Sequence, residues 1–124
     1  VSGGGAIVNV VSAAGESGAV AGAAYTSTKH GLLGLTRNTA WMYARQGIRC
    51  NAILPGGVST AIVTGMDAQK WDPEGTERVR TFHATMPTML EPLDIARLAL
   101  FLASDESRHV NGAAVTADGG WLAN

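Results

Sequence analysis

The sequence predicts an α/β fold on a parallel sheet. The first observation behind this is a strand, helix, strand succession: a β-branched run at Ala6–Val11, a proline-free stretch from Ala24 to about Gln46, and a second strand-like run at Ile48–Leu54. Two strands joined through a helix of that length pair in parallel, with a right-handed crossover. The second observation is the repetition of helix then strand near the C-terminus, over Pro92–Ser104 and Val110–Ala117.

Each element has a local reason. The Gly3-Gly4-Gly5 cluster is a turn that feeds the first strand, whose apolar, β-branched composition marks it as buried. A small-residue loop runs from Ser12 to about Ala23. The long helix ends where Gly47 offers a C-terminal stop, and Pro55-Gly56-Gly57 ends the second strand. Val58–Met89 is less regular and reads as a mobile insertion, with Trp71-Asp72-Pro73 as a turn and a weak helix at Glu74–Ala84. Glu91-Pro92 then opens a helix with Asp94 in its first turn, near the positive end of the dipole. Ile95, Leu98, Ala99 and Leu102 give that helix one buried face. Val110–Ala117 is the last strand, closed by Gly119 and Gly120.

Composition bounds the function. The chain has 124 residues, about one domain's worth, and its formal net charge is −1. Leu, Ile, Val and Phe make up about 22% of it, above the level at which disorder becomes the default reading. Nine Lys and Arg against ten Asp and Glu leave no basic excess for phosphates, which argues against a nucleic-acid partner. No apolar run is long enough to span a membrane, and no signal peptide is expected from these residues. The single Cys50 sits in a hydrophobic run and is expected to be a core thiol, which fits a reducing, cytoplasmic setting. The chain begins at Val1 just before a strand, and an N-terminal part is expected to precede it.

In an open parallel sheet, ligands bind beyond the carboxyl ends of the strands. Ser12 follows the first strand and Pro55-Gly56 the second, so both loops should border one crevice. Tyr25 begins the intervening helix and Lys29 lies one turn later on the same face, so Ser12, Tyr25 and Lys29 can converge. A free tyrosine titrates near pH ~10, too high for a base at neutral pH. An ammonium roughly 4 Å away at an effective dielectric of about 20 is worth up to about 4 kcal/mol, enough to bring the phenol toward neutrality. Ser12 could hold the substrate oxygen beside it. A Tyr and a Lys four apart also occur on many helices with no role but packing. It is their position at a helix start facing the crevice that favours chemistry.

Rival readings fare worse. Gly15, Gly18 and Gly22 lie between a strand and a helix, but the loop is too long for a dinucleotide phosphate turn and no acidic residue ends the next strand. His30, His83 and His109 are dispersed, with no metal-ligand spacing to Cys50 or a carboxylate. Nothing near Ser12 resembles a nucleophile elbow. Asp118 before two glycines reads as a turn former. Leu32, Leu33, Leu35, Ala40, Trp41, Met42 and Tyr43 spread apolar surface around the long helix, so one face is expected on the sheet and another on a partner subunit.

At these residues the sequence resembles the short-chain dehydrogenases/reductases, in particular 3-oxoacyl carrier-protein reductase-like members. Asn9-Val10-Val11-Ser12 is similar to the family strand ending in its serine; Val11 stands where many members have a second serine. Tyr25 and Lys29 resemble the YxxxK pair at the usual distance from Ser12, and Asn51–Gly56 with Val58 and Thr60 resembles the NAxxPG segment. Gly112 through Gly120 is similar to the closing strand.

The resemblance implies a Rossmann-like, doubly wound parallel sheet, of which residues 1–124 are the C-terminal part of one NAD(P)-binding domain. It implies Tyr25 as acid/base, Lys29 lowering its pKa and holding the nicotinamide ribose, and Ser12 orienting a small carbonyl or alcohol substrate. Pro55, Gly56, Val58 and Thr60 would contact the nicotinamide end of NAD or NADP. Met66 and Trp71 would line a substrate-covering loop, and the assembly would be a homotetramer or dimer. The glycine motif, the residue that discriminates NAD from NADP, and the tetrad Asn would all lie before Val1. The alternative is a non-catalytic, oligomer-forming module without the dinucleotide half. An intact mass near 12.8 kDa would support that alternative, and roughly twice that would support the enzyme.

Overall fold

A computed structural model describes residues 3–64 and 67–124. Three parallel strands, β1 (Gly5–Val10), β2 (Ile48–Pro55) and β3 (Ala114–Ala117), form a sheet in the order β1-β2-β3. Ile7 pairs with Cys50 and Val10 with Ile53, while Ala52 pairs with Ala114 and Pro55 with Ala117. All three carboxyl ends therefore lie along one edge. This is the α/β parallel architecture that the sequence predicts.

Helix α1 (Ala23–Tyr43) joins β1 to β2. It continues as a 3-10 turn to Gln46, and Gly47 stops it in the left-handed region at φ 74°. Helix α2 (Ala61–Thr64), a 3-10 turn at Ala68–Lys70 and α3 (Pro73–His83) follow β2, so the segment read as irregular has regular pieces. Asp72 caps α3 by accepting from Gly75 N at 2.6 Å. Helix α4 (Pro92–Ala103) begins with a capping box between Glu91 and Asp94. Among the described residues, no helix is long and apolar enough to cross a membrane.

The central strand is buried on both faces, as a doubly wound sheet requires: Ile53 and Leu54, neighbours in sequence, are both fully buried. Ala52 and Leu54 pack with Val11 and with Leu33 of α1. Thr36 of α1 is held over the same face, donating to Leu32 O at 2.9 Å and accepting from Asn9 Nδ2 at 2.9 Å. On the opposite face Arg49 reaches the end of α4, donating to the Leu102 and Ser104 carbonyls.

The third strand is shorter than expected, starting at Ala114 and not at Val110. Residues 110–113 are fastened to β2 by side chains as well as by two backbone bonds, Gly112 N to Cys50 O at 2.9 Å and Ala52 N to Ala113 O at 2.8 Å. Asn51 Nδ2 donates to Val110 O at 2.8 Å and Asn51 Oδ1 accepts from Ala113 N at 2.9 Å. Asn111 accepts from Cys50 N at 2.9 Å and donates to Ala40 O at 3.1 Å. Gly112 bends the chain with φ 76°, outside any strand conformation.

Candidate active site

The site starts from the end of β1. Val11 N still donates to Ile53 O at 2.8 Å, and the chain then turns away as Ser12 caps a buried 3-10 turn at Ala13–Gly15. Ser12 Oγ accepts from Ala14 N at 3.1 Å. That bond occupies a lone pair and leaves the hydroxyl proton for another acceptor.

The turn is pressed against α1. A β-carbon on Gly15 would stand 2.7 Å from Val11 Cγ1 and 3.3 Å from the Lys29 carbonyl oxygen. Only glycine allows this approach, which seats the Ser12 turn on the part of α1 that carries Lys29. Lys29 reaches back to β1: its Nζ donates to Val10 O at 3.2 Å and lies 5.4 Å from the centroid of the Tyr25 ring. Tyr25 is 43% exposed. Lys29 thus lies at the carboxyl end of β1, against the Tyr25 ring of its own helix and with its backbone beside the Ser12 turn.

The turn after β2 borders the same edge. Gly56 N donates to Ala117 O at 3.0 Å, and a β-carbon there would be 3.0 Å from Asp118 Cα. Val58 forms a parallel bridge with Leu90, through Leu90 N to Gly57 O at 2.8 Å and Ser59 N to Leu90 O at 2.9 Å. In that geometry Val58's own N–H and C=O point away from Leu90. Thr60 is exposed just before α2. Trp71 is also exposed, and Met66 lies outside the described residues.

A cleft of about 440 Å³ opens at the carboxyl end of β3, between Glu16 and the Thr116–Gly120 segment, with Leu90 and Leu122 on its walls. Tyr25 and Lys29 do not line it. Asp118, expected as a turn former, accepts from Gly120 N at 2.8 Å and Leu122 N at 2.9 Å. Cys50 is buried, and burial pushes its thiol above the ordinary pKa.

Sequence reasoning missed the fastenings around this edge. The Val10 carbonyl as the anchor of Lys29 carries no sequence signal. The Asn51 and Asn111 network left only a faint one, two amide side chains near strand ends. His83, which has no metal-ligand spacing in the sequence, bonds through Nε2 with Val20 O at 2.7 Å, just upstream of Tyr25.

Residues 1–122 match the family model described as Enoyl-(Acyl carrier protein) reductase. The chain is 45% identical over 123 residues to the short chain dehydrogenase adrF of Penicillium rubens, covering 94% of this chain and 48% of that protein. It superposes with TM-score 0.80 and 37% identity on a structure assigned as a short-chain dehydrogenase/reductase from Burkholderia xenovorans, covering 98% of this chain and 47% of that one. A 4-hydroxyisoleucine dehydrogenase complexed with NADH matches with TM-score 0.76 and 30% identity, over 96% of this chain and 47% of that one. The chain spans about half the length of the curated relatives it matches. The motifs, the parallel fold and these matches agree: the chain belongs to the short-chain dehydrogenase/reductase family of oxidoreductases.

Proposed function

We propose that the complete protein moves a hydride between NAD or NADP and the carbinol or carbonyl carbon of a small alcohol or ketone, with Tyr25 as acid/base. The observation that carries this reading is the placement of Lys29, whose Nζ is 3.2 Å from Val10 O and 5.4 Å from the Tyr25 ring centroid. The ammonium has three donors and spends one on Val10, so two remain for ribose hydroxyls and for the phenol oxygen.

The residues at this edge fit the nicotinamide end of such a cofactor. The Val58 N–H and C=O directed away from Leu90 suit a carboxamide, and Pro55, Gly56 and Thr60 border the same turn. When bound, the nicotinamide supplies the hydride acceptor or donor. The chain's own residues handle the proton. In the oxidative direction the substrate hydroxyl proton passes to the Tyr25 phenolate oxygen as the carbonyl forms, and in reduction it returns. Lys29 stabilises the negative charge on that oxygen. Ser12, with its hydroxyl proton free of the Ala14 bond, donates to the substrate oxygen and orients it.

Tyr25→Phe in the complete protein is expected to abolish NAD(P)H oxidation with carbonyl substrates, and a retained rate overturns the role. The outer face of α1, with Trp41 81% exposed and Leu35 and Met42 more than half exposed, supports a second copy packed there as a dimer or tetramer. A stable monomer in sedimentation removes that part.

A further inference from the structure

The loop between the Ser12 turn and α1, residues 17–22, is built of Ser, Gly, Ala and Val and leads directly to Tyr25. Its internal fastenings are short-range: Ala19 N donates to Ser17 Oγ at 3.3 Å, and Thr26 Oγ1 donates to Ala21 O at 3.1 Å. Loops of this composition are not held in place by their own side chains. The tie from outside comes from the last turn of α3, where His83 Nε2 lies 2.7 Å from Val20 O. A carbonyl only accepts, so Nε2 carries the proton.

His83 is itself held. Its ring meets Trp121 edge-on at 5.5 Å, and the preceding Phe82 stacks on the same indole at 4.8 Å. Trp121 Nε1 donates to Thr85 Oγ1 at 3.0 Å, and the indole is buried. Asp118 in turn fixes the Trp121 segment to the end of β3 through Gly120 N and Leu122 N. One continuous set of contacts therefore runs from β3 through the tail and α3 to Val20, five residues before Tyr25. It joins the end of α3 to the loop that leads to Tyr25.

We propose that His83 and Trp121 form a clasp that positions the 17–22 loop, and through it Tyr25, against the carboxyl edge of the sheet; this rests on the role given above to Tyr25. His83 is a positioning residue here, acting through the Val20 carbonyl and not on substrate. The Phe82–Trp121 stack makes the position of α3 part of the geometry of the site.

The test is amide hydrogen exchange on the complete protein, with turnover followed by NAD(P)H absorbance using 2,3-butanedione as the carbonyl probe. Loss of one hydrogen bond at a loop is expected to speed exchange of residues 17–24 about fivefold in His83→Ala, with the β2 amides unchanged. His83→Gln, whose side-chain amide can donate to the same carbonyl, is expected to return to within about twofold of wild type. Where wild type turns over the probe, His83→Ala is expected to lower kcat more than it changes KM for NAD(P)H. Exchange of residues 17–24 at the wild-type rate in His83→Ala overturns the clasp. If that variant also loosens β2, Thr85→Val decides: faster exchange in the loop alone supports the clasp, and wild-type exchange overturns it. Turnover retained by Tyr25→Phe would sink the chemistry while leaving the exchange result to judge the clasp.

Discussion

Lys29 donates to the Val10 carbonyl at 3.2 Å, and this bond fixes the amine at the end of β1 while α1 carries it past Tyr25. The acceptor belongs to a residue that is 51% exposed, so water can replace the amine there. Lys29→Met should therefore change stability by less than about 1 kcal/mol, since no buried group is orphaned. Turnover should fall by about a hundredfold or more, the usual scale of acid/base assistance. Thermal unfolding and steady-state rates on the same preparations separate the two effects. A large drop in Tm with little loss of rate per folded molecule would point to a structural lysine.

Gly15 is the contact through which the Ser12 turn sits on α1. A methyl group there meets Val11 Cγ1 at 2.7 Å and the Lys29 carbonyl at 3.3 Å. Gly15→Ala is expected to cost about 1–3 kcal/mol as overpacking and to shift Ser12 from its partners. Gly18→Ala, with nothing within 4 Å of its β-carbon, is the control and should be nearly silent. Urea unfolding of the two variants side by side checks the contrast.

Arg49 ties the sheet to α4. Its guanidinium donates to Leu102 O at 2.9 Å, Ser104 O at 3.0 Å, Ser107 Oγ at 3.1 Å and Val110 O at 3.3 Å. Arg49→Met should destabilise by about 1–3 kcal/mol, because it removes four hydrogen bonds at once, although Leu102 O keeps Ser107 Oγ and Val110 O keeps Asn51 Nδ2 as donors. Arg49→Lys should recover only part of this, since an ammonium lacks the planar fork. The difference between the two midpoints in denaturant is the measurement.

Cys50 is an acid whose folded pKa lies above its unfolded one, because burial disfavours the thiolate. Below the unfolded pKa both states hold the proton and the thiol contributes no pH dependence. Above it the unfolded state loses the proton first, so stability falls as pH rises through the alkaline range. Cys50→Ala should flatten that part of the profile. A thiol reagent should label native Cys50 only at the rate of opening, which mass spectrometry can follow.

Much of this was legible in the chain. Ala6–Val11 and Ile48–Leu54 read as strands from their β-branched, apolar composition, but only β2 is buried, since Ile7 and Val10 of β1 are 42% and 51% exposed; Glu91-Pro92 with Asp94 marked a helix start through capping that acts within one turn. Tyr25 and Lys29 could be placed together because four residues on a helix are one turn. The start of β3 was not legible. The composition of Val110–Ala113 suits a strand, yet Asn51 takes Val110 O and Ala113 N, and Gly112 stands at φ 76°.

By itself the sequence determined the succession of strands and helices, the parallel pairing and the placing of Tyr25 and Lys29 one turn apart on α1, because these follow from periodicity, connection length or spacing along one element. Only the tertiary structure decided that Gly15 seats the Ser12 turn on Lys29, that Arg49 ties β2 to the end of α4 and Asn111 reaches Ala40 on α1, and that His83 reaches Val20. Those partners lie from 14 to 71 residues apart, on elements that meet only after folding. Their distances depend on how helices settle on the sheet, which no local pattern encodes.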